Sequence, residues 1–146
     1  MISVSILILR LALGLSFVGH GAQKLFGWFG GRGFRATAQG YGQGMGMRPG
    51  WLFALLGGGG ELFGGLLLAL GLLTDLGAFL IAAAMVVAIA KVTGKNGYWI
   101  SKSGWEYNGL IIVVCVVIAL TGPGRYSLDT LFGLDRLAAP LPALPR

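Results

Sequence analysis

The side chains able to do chemistry in this chain are few, and most of them interrupt long apolar runs. Arg10, His20, Gln23 and Lys24 share the first run, Glu61 is the only charge in the second, and Glu106 stands between Trp105 and Tyr107 at the head of the last. A carboxylate and an imidazole can pass protons near neutral pH, and guanidinium or ammonium donors can steady an oxygen that is gaining negative charge. Arg10, His20 and Glu61 are therefore the candidate catalytic residues; Arg10, His20, Gln23, Lys24, Glu61 and Glu106 are the candidate ligand-binding set. Other chemistries are excluded by count. One cysteine, Cys115, and one histidine leave a single chain without a disulfide, a dithiol, a zinc or iron–sulfur cluster, or a bis-histidine haem. Gly31 to Ala36 fits G-x-G-x-x-A, but no strand precedes it, so no nucleotide site is expected.

The elements that must position these residues follow from composition. Of 146 residues, 55% are hydrophobic and 11% charged, against about 25% charged in a soluble domain, so polar groups cannot cover the surface. Disorder demands the opposite composition, and the 27 glycines show no three-residue period that would suggest collagen. An integral membrane protein remains. The net charge of +6 lies largely in loops between apolar runs, where cations set topology and meet anionic head groups. No basic helix or aromatic RNA-binding motif accompanies it, so nucleic acid is not an expected partner.

Four apolar blocks cover residues 3–25, 51–73, 76–92 and 105–121. The first keeps its positive charge inside the run and has no A-x-A site behind it, unlike a cleavable signal peptide. The second is long enough for a core of about 30 Å, and the last two, at roughly 17 residues, stand at the lower limit. Helices are the expected form, because the blocks are too long and too continuously apolar for barrel strands. Thr74-Asp75 permits only a tight helical hairpin. Gly122-Pro123-Gly124 stops the last span, and Ser127 or Asp129 is expected to cap a short interfacial helix over 130–137. The polar, glycine-rich stretch 26–50 is expected along the interface, with a short helix over 34–41. The expected fold is thus an all-α membrane protein, an antiparallel bundle of four transmembrane helices with a long loop between helices 1 and 2. Residues 1–137 form its single domain and 138–146 a Pro-rich tail. The cations Lys24, Arg32, Arg35, Arg48, Lys91, Lys95 and Lys102 at one end predict that end to be cytoplasmic, with both termini outside, in the cell (plasma or inner) membrane.

Arg10 is expected about 12 Å of rise from the chain start and Glu61 about 15 Å beyond Trp51, both at mid-bilayer. A charge there costs at least about 2.5–3.5 kcal/mol on insertion scales, so each needs a partner, and the simplest partner for each is the other. Gly14 and Gly21 would offer a seam to Gly60-x-x-x-Gly64. Two readings stay open: an ion pair that sets the register of the first two long helices, or a polar pocket for a ligand or proton. Glu106 likewise suits either a ligand site or the first turn of a helix, whose dipole it complements. Cys115 and Lys91 need no role beyond packing and snorkelling.

Three segments in series carry a family resemblance: Gly19-His20-Gly21-Ala22-Gln23-Lys24-Leu25-Phe26-Gly27-Trp28-Phe29-Gly30-Gly31; Gly60-Glu61-Leu62-Phe63-Gly64-Gly65 with Leu70-Gly71-Leu72-Leu73-Thr74; and Gly122-Pro123-Gly124-Arg125-Tyr126-Ser127-Leu128-Asp129. Together they resemble the DoxX family of small bacterial membrane proteins. The resemblance places Arg10, His20, Gln23, Lys24, Glu61, Glu106, Arg125 and Asp129 at the family's characteristic polar positions. Asn96-Gly97-Tyr98 is present, without the histidine that often precedes this stretch in the family. The family's link to thiosulfate oxidation, quinone reduction and redox stress implies a quinone-binding subunit that supports electron and proton transfer. Having no carrier of its own, it would need a redox protein partner or a homo-oligomer holding a cofactor between subunits. The competing expectation is a non-enzymatic scaffold or small-molecule transporter.

Overall fold

A computed structural model describes residues 2–135; the Pro-rich tail 138–146 lies outside them. The described residues contain six α-helices joined by turns and no strand. They are α1 (Ile2–Leu25), α2 (Gly33–Gln39), α3 (Gly50–Leu70), α4 (Thr74–Ala88), α5 (Glu106–Thr121) and α6 (Leu128–Phe132). Three stretches are helical, long and apolar enough to cross a membrane: Ile2–Leu25, Gly50–Leu70 and Thr74–Asn96, the last extending α4 through a π turn and a 3-10 turn. Glu106–Thr121 is apolar but shorter. With large apolar side chains such as Ile8, Leu15, Leu56, Phe63, Phe79 and Val113 exposed along these helices, the molecule is an integral, multi-pass membrane protein.

Packing follows chain order: α1 lies against α3, α3 against α4, and α4 against α5. Phe17 of α1, Leu68 of α3, Ala78, Ile81 and Met85 of α4, and Ile111, Cys115 and Ile118 of α5 meet in one core. Glycine sets the closest approach. A Cβ on Gly14 would strike the Gly65 carbonyl and the Ala69 nitrogen, and one on Gly21 would strike the Gly58 carbonyl and Leu62. The seam therefore pairs two heptad-spaced glycine sets, Gly14/Gly21 with Gly58/Gly65. This corrects the expected Gly60-x-x-x-Gly64 partner: Gly60 faces open space, and Gly64 packs instead on Gly77 and Leu80 of α4.

Helix boundaries shift where a tertiary partner intervenes. α3 ends at Leu70 because Gly71 turns left-handed at φ 65°, a conformation glycine adopts without a Cβ penalty. α4 starts earlier than the apolar pattern indicates, at Thr74, because Asp129 supplies its cap: the carboxylate accepts from the Leu73 and Thr74 backbone N–H groups (2.7 and 2.9 Å) and from Thr74 Oγ1 (2.6 Å). Ser127 caps α6 by accepting from Thr130 N at 3.1 Å, and that helix starts at Leu128 and stops at Gly133; the last two residues of the expected 130–137 lie outside the described ones. The 26–50 stretch is folded: α2 and the π turn Gly40–Gly44 pack against α1 and α3.

Candidate functional site

The antiparallel seam decides which charges meet. In the register set by Gly14/Gly65 and Gly21/Gly58, Arg10 stands level with the end of α3, about 12 Å of rise from Glu61. Side chains on a helix lean toward its N-terminus. Arg10 therefore leans away from Glu61 and Glu61 away from Arg10, while Lys24 and Glu61 lean toward each other. The structure accordingly pairs Lys24 Nζ with Glu61 Oε1 at 2.5 Å, and the expected Arg10–Glu61 pair is absent. Arg10, 1% exposed, donates through its two terminal nitrogens to the carbonyls of Pro123 and, at 2.8 Å, Tyr126. Asp129 acts on the same guanidinium electrostatically. A side chain at Gly71 would overlap the guanidinium, so the left-handed turn after α3 also makes room for Arg10. This end of the molecule is a knot that ties the segment after α5 to α1 and α3.

The other end holds a cavity of about 800 Å³. One wall is the C-terminal turn of α1 (Gln23, Lys24), a second is α3 (Phe53, Leu56, Gly57, Gly60, Glu61), and a third is α4 with its π turn (Leu80, Ala84, Val87, Val92, Thr93). The folded 26–50 segment closes it with Arg32, Thr37, Tyr41, Met45 and Met47. That segment is held at the end of α1: Thr37 Oγ1 donates to the Lys24 carbonyl, a backbone group the helix end leaves unsatisfied, at 3.1 Å, and the Gln23 side chain donates through Nε2 to the Phe29 carbonyl at 3.2 Å. Tyr41 comes close to α3 because Gly57 has no side chain; a Cβ there would collide with the Tyr41 hydroxyl.

The walls are mostly apolar; the charged residues among the lining are Lys24, Glu61 and Arg32, and of these Lys24 and Glu61 form an ion pair. Glu61 is 3% exposed, and its second oxygen, Oε2, is buried with no hydrogen-bond partner among the described residues. A carboxylate has about four lone-pair sites; among the described residues this one accepts from Lys24 alone. The Lys24 side chain stays one-third exposed, so its ammonium keeps donors to offer. Such a place accepts a mostly apolar molecule with one or two polar groups at one edge.

Of the residues singled out from sequence, Gln23, Lys24 and Glu61 line this cavity, and Arg10, His20 and Glu106 do not. His20 is exposed on α1, its ring 5.7 Å from that of Phe17. Glu106 Oε2 accepts from the Ile100 backbone N–H at 2.9 Å, which braces the turn before α5. Sequence reasoning missed Tyr41, Thr37 and the capping role of Asp129. Nothing local marked them: Thr74 and Asp75 offer cap residues of their own at the start of α4, and Tyr41 and Thr37 reach the cavity only through the fold of 26–50.

No curated protein and no solved structure matches the chain. The family model described as DoxX matches residues 5–94, a span that holds Arg10, the Gly14/Gly21 and Gly58/Gly65 seam and the Lys24–Glu61 pair, and leaves Glu106 and the 122–129 segment outside. With more than half its length matched, from α1 into the α4 extension, the chain belongs to the DoxX family.

Proposed function

We propose that the cavity beside Lys24 and Glu61 binds a quinone, or a similar flat apolar molecule drawn from the bilayer. In this reading the protein is a membrane subunit supporting electron and proton transfer with a redox partner. The observation that carries the reading is Glu61 itself, which lines a largely apolar cavity and keeps a buried oxygen, Oε2, without a partner among the described residues. Bound quinone supplies the two-electron, two-proton chemistry. The chain supplies the rest: apolar walls for the ring, the Lys24 ammonium as donor to a ring oxygen, and the Glu61 carboxylate as the group that holds or releases a proton. Its single cysteine and single histidine provide no electron carrier, so a partner protein delivers or removes the electrons.

We place four helices across the membrane, with α5 as the shortest: its 16 residues rise about 24 Å, so it stands upright where the bilayer is thin. The cavity end, with its exposed Arg32, Arg35, Arg48, Lys91, Lys95 and Lys102, faces the cytoplasm of a cell-membrane protein by the positive-inside rule. A C-terminal reporter active only outside the cytoplasm checks this orientation.

The test of function is retention and binding of quinone by the purified protein in mild detergent or nanodiscs. Solvent extraction is expected to recover isoprenoid quinone, and menadione to quench tryptophan emission saturably. Glu61→Gln, once shown to be folded, should bind menadione differently from wild type, and His20→Phe should bind it like wild type. If the protein neither retains isoprenoid quinone nor responds to menadione, the non-enzymatic scaffold or transporter is the better description.

A further inference from the structure

Resting on the quinone reading, we infer that the site distinguishes the redox state of its ligand. Glu61 selects the reduced, dihydroxy form over the dione, and Lys24 holds either. A carboxylate paired with an ammonium accepts hydrogen bonds and donates none. Glu61 Oε1 is engaged by Lys24 at 2.5 Å, Oε2 has no partner, and Glu61 lines the cavity. The terminal torsion of a glutamate is soft, so the unmatched oxygen can turn toward the cavity, the adjoining space from which a donor can come. A dione brings only acceptors at its oxygens, and against Glu61 it sets lone pairs against lone pairs. A diol brings O–H groups, one of which satisfies the unmatched carboxylate oxygen, and an unmatched buried acceptor is what a binding site gains most by satisfying. Lys24 has three N–H donors, of which the Glu61 contact uses one, and the oxygen of either redox form can accept another. The two residues thus divide the work, Lys24 supplying affinity and Glu61 discrimination. Tighter binding of the reduced form raises the midpoint potential of the bound couple, by about 30 mV for each tenfold preference in a two-electron couple. The site therefore pulls bound ligand toward the reduced state.

The test varies the ligand first, so that it does not depend on any variant folding. Dissociation constants for wild-type protein in nanodiscs are measured anaerobically from tryptophan quenching with menadione, with dithionite-reduced menadiol, and with 1,4-dimethoxy-2-methylnaphthalene, which keeps the ring and lacks both O–H groups. Menadiol is expected to bind about tenfold more tightly than menadione, one hydrogen-bond difference expressed as affinity, and the dimethyl ether no more tightly than menadione. In Glu61→Gln, confirmed folded by size exclusion and circular dichroism, the amide both donates and accepts, and the ratio of the two constants should fall to about one. Equal binding of menadiol and menadione by wild type, or a dimethyl ether as tight as menadiol, overturns the inference and leaves the quinone site standing. A preference that survives in Glu61→Gln overturns the assignment to Glu61. Binding of none of the three probes overturns the quinone reading itself.

Discussion

The two ends of the molecule each bury a charged residue of the long helices and use it in opposite ways. At the Arg10 end the guanidinium donates to the carbonyls of Pro123 and Tyr126, and Asp129 accepts three hydrogen bonds from the start of α4. Backbone groups absorb the charge. At the Lys24 end the two side chains bond one another, leave Glu61 Oε2 unmatched, and sit at the wall of a large cavity. Arg10 also leaves an atom unmatched, Nε, but Arg10 lines neither that cavity nor the smaller one beside Asp129. Buried charge is costly at both ends. What separates a structural tie from a candidate site is whether the buried charge is taken up by backbone carbonyls or belongs to a residue that lines a cavity.

This contrast is most exposed to Arg10→Met. The variant removes two charge-assisted hydrogen bonds and the cation facing Asp129, at an expected loss of about 3–5 kcal/mol, measured by thermal unfolding in detergent. Menadione binding by whatever fraction stays folded should be unchanged; a stable variant with lost binding would reverse the roles of the two ends.

The seam that holds the two ends apart comes next. A methyl on Gly65 would meet the Gly14 carbonyl and the Val18 nitrogen, backbone atoms that cannot swing aside, so Gly65→Ala is expected to cost about 1–3 kcal/mol. Gly60→Ala meets nothing within 4 Å and should be neutral or gain up to about 1 kcal/mol from helix propensity. Equal losses at both positions would mean that the helices pack in a different register.

Double-mutant cycles sharpen the pairing. Lys24→Met and Glu61→Gln should couple by about 0.5–3 kcal/mol, whereas Arg10→Met and Glu61→Gln should add to within about 0.5 kcal/mol, as sites without shared partners do. Coupling of Arg10 with Glu61 would restore the pairing that their places in the apolar runs first indicated.

The smallest effect belongs to His20. It is exposed and lines no part of the cavity, so His20→Phe should change stability by less than about 0.5 kcal/mol and leave menadione quenching as it is. A loss of binding would show that the ligand reaches the outer face of α1.

The membrane class, the long apolar helices and the glycine seam on α1 could all be read along the chain, because hydrophobicity, helix period and the absence of a Cβ are local properties. Arg10, Lys24 and Glu61 were likewise marked by their cost in an apolar run. Which of them would meet was not legible, because it depends on the relative register and opposite sense of α1 and α3. Heptad-spaced Gly58 and Gly65 set that register, and side chains leaning toward each helix's own N-terminus then bring Lys24 to Glu61 and turn Arg10 away. The start of α4 was hidden for a similar reason: its cap comes from Asp129, more than fifty residues along the chain. The cavity, too, exists only once residues 26–50 fold back over α3, with Tyr41 resting where Gly57 has no side chain. Residue types state what a side chain can exchange, proton or hydrogen bond; only the packed helices decide with whom, since a partner is chosen by distance and direction between elements whose relative placement no single segment encodes.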